Sequence, residues 1–150
     1  IVGQQVSVKA AIGQVTLLVH QLGETVSDAL PSNGLESITN ERYSFPSPES
    51  VAENSLEFLR MPQARKEAVR HFARLFINGN MPSHEDIFAI KGVGPWTLDY
   101  LKMRGERNPD IYLGGDLIVR KMAQQYPIAP EKAAPWRSYL TLQLWQLSNQ

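Results

Sequence analysis

The sequence predicts an all-α protein, a compact multi-helix domain containing a helix-hairpin-helix motif. Three observations predict it. Apolar residues recur at three- and four-residue spacing almost throughout, no segment sustains strand alternation, and Ser, Asn, Pro and Gly cluster where helix caps belong. The chain has 150 residues, 43% of them hydrophobic, which suits one domain, 1–150, with a sizeable core. Cysteine is absent, so neither a disulfide framework nor a thiolate metal site holds it together, and an intracellular setting is expected. The three histidines, His20, His71 and His84, are too dispersed to suggest zinc. No apolar run approaches the ~20 residues that cross a bilayer, so no membrane partner is expected. The start IVGQQVSVKAA is abrupt, and an upstream portion is expected to be missing.

The first helix is expected over about residues 6 to 22, with Val8, Ala11, Ile12, Val15, Val19 and Leu22 on its buried side and Gly23 as its stop. Residues 28 to 48 read as a loop with one short turn. Ser47 then caps a short helix with Pro48 at its first position. Asn54 and Glu57 have capping-box spacing for another short helix ending near Leu59. Pro62 opens a longer helix to about Ile77, with Ala68, Val69, Phe72 and Phe76 inward, until Asn78 and Gly79 end it. Ser83 with Asp86 caps a short helix through Ile90.

After Ile90 the chain reads KGVGPW and must reverse within about four residues. Gly92 and Gly94 supply backbone shapes that a Cβ would obstruct, and Pro95 starts the next helix, Trp96 to Arg104, which Gly105 ends. A bare glycine turn lets a phosphate approach closely, and the unpaired N–H groups of the following helix start point at an anion. An ordinary helix-turn-helix corner with glycine for steric reasons is the alternative, but the apolar residues before the turn, Pro95, and Lys102 and Arg104 further along favour a grip on one DNA strand without base reading. Net charge argues against this by itself, since fifteen Lys plus Arg balance fifteen Asp plus Glu. Distribution can overrule the total. Arg60, Arg65, Lys66, Arg70 and Arg74 stand against only Glu67, and Lys91, Lys102, Arg104 and Arg107 form a second cluster, although such clusters are more often solvated helix faces than polyanion sites.

Downstream, LGGDLIV puts Asp116 at the head of an apolar helix. Its plain role is an N-cap; its sharper role is a carboxylate pointed into a cleft. In the closing segment, Trp136 and Tyr139 read as core. Trp96, Tyr100 and Trp145 are candidates to line a pocket that sandwiches a planar base turned out of the helix.

The stretches IVGQQVSVKAA, FLRMPQARKEAVRHFA, IKGVGPWTLDYLKMRG, PDIYLGGD and PWRSYL together resemble the helix-hairpin-helix (HhH-GPD) DNA glycosylases, specifically the 3-methyladenine DNA glycosylase II group, in that family's order. The family usually carries a further N-terminal domain. The resemblance implies a DNA glycosylase fold and a monomer that flips an alkylated purine from duplex DNA and hydrolyses its glycosidic bond, in base excision repair. It implies Asp116 as the catalytic carboxylate, a base pocket of Trp96, Tyr100 and Trp145, and DNA contacts through Gln4, Gln5, Gly92, Gly94, Trp96, Lys102 and Arg104. Gln5 takes the position that fills the gap left by the flipped base, with Gln4 able to share the work. Relatives that also cut the backbone have a lysine where this chain has Trp96, so no strand-nicking activity is expected. No cofactor is required, although the family's hairpin often holds a monovalent cation, Na+ or K+, on main-chain carbonyls that map to Phe88, Ile90 and Val93. Two alternatives stand beside this one: a non-catalytic helix-hairpin-helix DNA-binding module in which Asp116 only caps a helix, and a glycosylase-lyase for oxidised bases.

Overall fold

Ser7 is extended and its Oγ accepts from the Ala10 amide, so the first helix, α1, starts at Val8 and runs to Leu22. The computed structural model describes residues 1–26 and 42–148 of the chain; most of the loop expected over 28–48 lies outside them. The helices are α1 (Val8–Leu22), α2 (Pro48–Glu53), α3 (Gln63–Arg74), α4 (His84–Phe88), α5 (Pro95–Arg104), α6 (Leu117–Gln125) and α7 (Arg137–Leu147), with a 3-10 turn at Pro130–Ala133. A two-residue antiparallel pair, β1 (Thr25–Val26) with β2 (Arg42–Tyr43), is the strand content of the described residues. The protein is thus mostly helical. It comprises two compact units, residues 1–92 and 93–150.

In the first unit, α1 to α3 enclose Leu18, Val51, Ala52, Leu56, Leu59, Val69 and Ala73. The expected buried face of α1 is corrected here. Leu18 is its buried residue, with Leu17 and Leu22 packed beside it, whereas Val8 and Ile12 are 77% and 61% exposed and Val15 lies outward too. The helix is apolar on more than one side, and periodicity alone cannot say which side meets the core. Gly23 does end α1, for a packing reason: a Cβ there would come within 2.5 Å of the Val19 carbonyl and closer still to that of Ser44.

Ser47 and Ser83 cap α2 and α4 as their spacing predicts, and Ser83 forms the full reciprocal box with Asp86. The Asn54–Glu57 box does not form. Asn54 Oδ1 accepts from the Leu56 amide at 2.7 Å, and Leu56 adopts a left-handed φ of 59° at a fully buried position, so the chain turns sharply instead of starting a helix. Glu57 takes another partner. Lys66, counted with the solvated basic face, is only 6% exposed and donates from Nζ to Glu57 Oε2 at 3.1 Å. A buried ammonium needs such a partner. Arg70 also turns back, to the Ala52 carbonyl and to Glu67, so part of the first basic cluster serves the fold.

The second unit packs α6 and α7 around Met103, Leu113, Val119, Met122 and Leu144, with Trp96, Ile111, Tyr112, Leu140 and Trp145 at its margin. Trp136 and Tyr139, expected in the core, are each 57% exposed. The inward face of α7 carries Ser138, Thr141 and Leu144, and Tyr139 falls on the opposite side of a 3.6-residue period.

Candidate active site

Between α5 and α6, residues 108 to 113 belong to no helix or strand and are stitched to α7 by side chains. Ser138 Oγ donates to the Asn108 carbonyl at 2.6 Å and accepts from the Ile111 amide at 3.0 Å. Thr141 Oγ1 accepts from the Leu113 amide at 3.2 Å and donates to the Ile111 carbonyl at 3.3 Å. Arg137 grips Asp110 with Nε and Nη2, each at 2.6 Å from a carboxylate oxygen. The chain then turns through Gly114 and Gly115, closed by the Asp116 amide donating to the Leu113 carbonyl at 2.9 Å.

That turn delivers Asp116 to the start of α6. Its plain role is real: Oδ1 accepts from the Ile118 and Val119 amides, each at 3.0 Å. The carboxylate also does more than cap. Trp145 Nε1 donates to Oδ1 at 3.0 Å and Trp96 Nε1 to Oδ2 at 3.3 Å. Four N–H donors therefore converge on one carboxylate, two from backbone and two from indoles. The rings continue into a row, with Trp96 and Tyr100 centroids 5.3 Å apart and Tyr100 and Trp145 6.0 Å apart, tilted by 34° and 38°. All three are only partly buried, Tyr100 being 36% exposed. Asp116, Trp96, Tyr100 and Trp145, named from sequence, thus stand together.

The hairpin residues behave unequally. Gly92 has φ +96°, where a side chain would be strained. Gly94 is corrected: its φ of −104° suits any residue, and a Cβ there would meet nothing within 4 Å. What glycine leaves at that position is open space at the start of α5, which no side chain caps. Lys102 and Arg104 lie in the last turn of α5. At the other end of the sequence, Gln4 Nε2 donates to the Gly92 carbonyl at 2.9 Å, which ties Gln4 to the hairpin. Gln5 is exposed with φ 57° immediately before α1. Phe88, Ile90 and Val93 follow one another across the hairpin; Ile90 and Val93 are buried and Phe88 is 48% exposed. Among the described residues, no group of three or more His, Cys, Asp or Glu could hold a metal ion.

Sequence reasoning assigned no role to Asp110, Arg137, Ser138 or Thr141. The signal was present as two hydroxyl residues three apart on one face of α7, in step with Leu144. The Arg137 guanidinium holds the Asp110 carboxyl below its ordinary pKa, chiefly through the side-chain hydrogen bonds. A carboxylate with a lowered folded-state pKa stabilises the fold fully above the unfolded value, and that contribution fades as pH falls through the folded value. The stability difference between the wild-type protein and Arg137→Met should therefore be greatest near neutrality and shrink in acid. Denaturant midpoints measured from pH 7 to pH 3 check this, and a difference that stays constant would contradict it.

No family model matches the chain. Curated relatives do. The probable bifunctional transcriptional activator/DNA repair enzyme AlkA of Mycobacterium tuberculosis is 30% identical over 163 residues, covering 97% of this chain and 31% of that protein. DNA-3-methyladenine glycosylase 2 of Escherichia coli is 31% identical over 166 residues, covering 97% of this chain and 54% of its own length. DNA-3-methyladenine glycosylase 1 of Schizosaccharomyces pombe is 27% identical over 157 residues, 87% of this chain and 68% of that protein. The chain thus spans about a third to a half of the length of the first two relatives.

Proposed function

From its kinship with the 3-methyladenine DNA glycosylase group, we propose that this chain is the catalytic part of a monofunctional DNA glycosylase that excises alkylated purines from duplex DNA. The observation that carries the reading is the Asp116 carboxylate, held by two indole N–H groups at the edge of an aromatic row. A purine methylated at N3 or N7 is already cationic, so it leaves easily and needs little acid help. Turned out of the helix, it stacks against Trp96, Tyr100 and Trp145, each well-placed ring contributing about 0.5 to 2 kcal/mol of cation–π attraction. As the glycosidic C–N bond stretches, positive charge develops on the sugar. Asp116 stabilises that charge and orients the water that adds to the anomeric carbon.

Trp96 occupies the position at which a lyase would carry its Schiff-base lysine, and an indole cannot form that bond. The uncapped start of α5 receives a phosphate, and Lys102 and Arg104, in the last turn of that helix, meet other phosphates of the duplex. A Na+ or K+ on the carbonyls of Phe88, Ile90 and Val93 would brace the same turn, with no part in the bond-breaking step.

Duplex DNA containing one alkylated purine, incubated with the protein and then treated with or without alkali, tests the reading. Breaks only after alkali support it, breaks without alkali make the protein a lyase, and no breaks under either condition leave a binding module. Lys102→Gln and Arg104→Gln should each weaken binding on all sequences alike and reduce the slope of log affinity against log salt by about 0.9. Binding titrations from low to moderate salt check this, and an unchanged slope would remove that residue from the phosphate contacts.

A further inference from the structure

We propose that Thr141 is the positioning residue that sets the height of the Asp116 carboxylate, an inference that rests on the glycosylase reading above. Its side chain is fully buried, and its hydroxyl accepts from the Leu113 amide while donating to the Ile111 carbonyl. Leu113 is the link to the site. It is 1% exposed, its N–H is held by Thr141, and its carbonyl receives the Asp116 amide across the two glycines. Gly114 and Gly115 cannot carry stiffness themselves, so the position of Asp116 follows that of the Leu113 peptide. Thr141 also stands one helical turn before Trp145, on the same face of α7. One helix face therefore fixes both the turn that presents the carboxylate and the indole that receives it at 3.0 Å.

Thr141→Val keeps the shape and removes both hydrogen bonds, whereas Thr141→Ser keeps the hydroxyl. In single-turnover excision of an alkylated purine, Thr141→Val should be slower by about 10- to 100-fold, with DNA affinity within about twofold of wild type. Thr141→Ser should restore most of the rate. The indole N–H resonances of Trp96 and Trp145 give a readout that needs no activity: Thr141→Val should shift both, as Asp116→Asn should, and Thr141→Ser should leave both in place. Should Thr141→Val fail to fold, hydrogen exchange in the wild-type protein decides, with the Leu113 amide, the Asp116 amide and the Trp145 indole exchanging through one common opening. A folded Thr141→Val protein with wild-type rate and wild-type indole resonances, or separate exchange rates for those three groups, would overturn the assignment. Absence of excision by the wild-type protein would sink the glycosylase reading instead, and the resonances would still judge Thr141.

Discussion

Asp116→Asn should abolish base release while leaving the fold and the grip on DNA in place. Asparagine is as good an N-cap as aspartate, so the side-chain oxygen can keep the Ile118 and Val119 amides and the Trp145 indole. Two things are lost. The negative charge that faces the developing sugar cation disappears, and the amide NH2 is turned toward Trp96 Nε1, itself a donor, where Oδ2 had accepted. Removing one preorganised electrostatic group from an active site costs about 10²- to 10³-fold in rate, and loss of water orientation adds to it. Affinity for duplex DNA should stay level or rise slightly, because a charge that repels phosphates is gone. Single-turnover excision and a parallel binding titration check both halves. An Asn variant retaining most of its activity would return Asp116 to the role of a helix cap.

The second large effect concerns the indoles. Trp145→Phe and Trp96→Phe keep an aromatic face and delete an N–H that points at the carboxylate. A hydrogen bond to a charged group contributes about 1.5 to 3 kcal/mol, so each change should slow excision by roughly 10-fold or more. The Trp145 bond is shorter, 3.0 Å against 3.3 Å, but it shares Oδ1 with two backbone amides. Trp96 donates to the other oxygen, Oδ2. Leucine at either position removes stacking as well, and should weaken binding of alkylated DNA in addition to slowing release. Phenylalanine variants with unchanged rates would mean that the indoles serve only as walls.

How far the sequence reached depended on the range of each signal. The caps at Ser47 and Ser83 and the proline start of α5 are local, fixed by residues within about four positions, and all were readable, whereas the stop at Gly23 was readable as a glycine but its reason, the Ser44 carbonyl, lies 21 residues away. The buried face of α1 was not, because Val8 and Ile12 have the spacing of a core stripe and nothing in the chain says which side meets α2 and α3. Lys66 reads as a solvated cation in the sequence, yet it is buried and paired with Glu57, nine residues away. For the site, residue types pointed to Asp116 and three aromatics, yet the bonds joining them span 20 and 29 residues and leave no periodic trace. Ser138 and Thr141 are hard to read for a related reason: polar residues on a helix read as surface, whereas here they hold the backbone of residues 108 to 113.

The most direct test compares two DNA duplexes, one carrying a protonated pyrrolidine in place of the damaged nucleoside and the other a neutral tetrahydrofuran. If Asp116 stabilises positive charge at the sugar, the cationic ring should bind the wild-type protein about 10- to 100-fold more tightly, and Asp116→Asn should erase that preference without weakening the neutral duplex. Equal affinity for the two duplexes, or a preference that survives in Asp116→Asn, would contradict it.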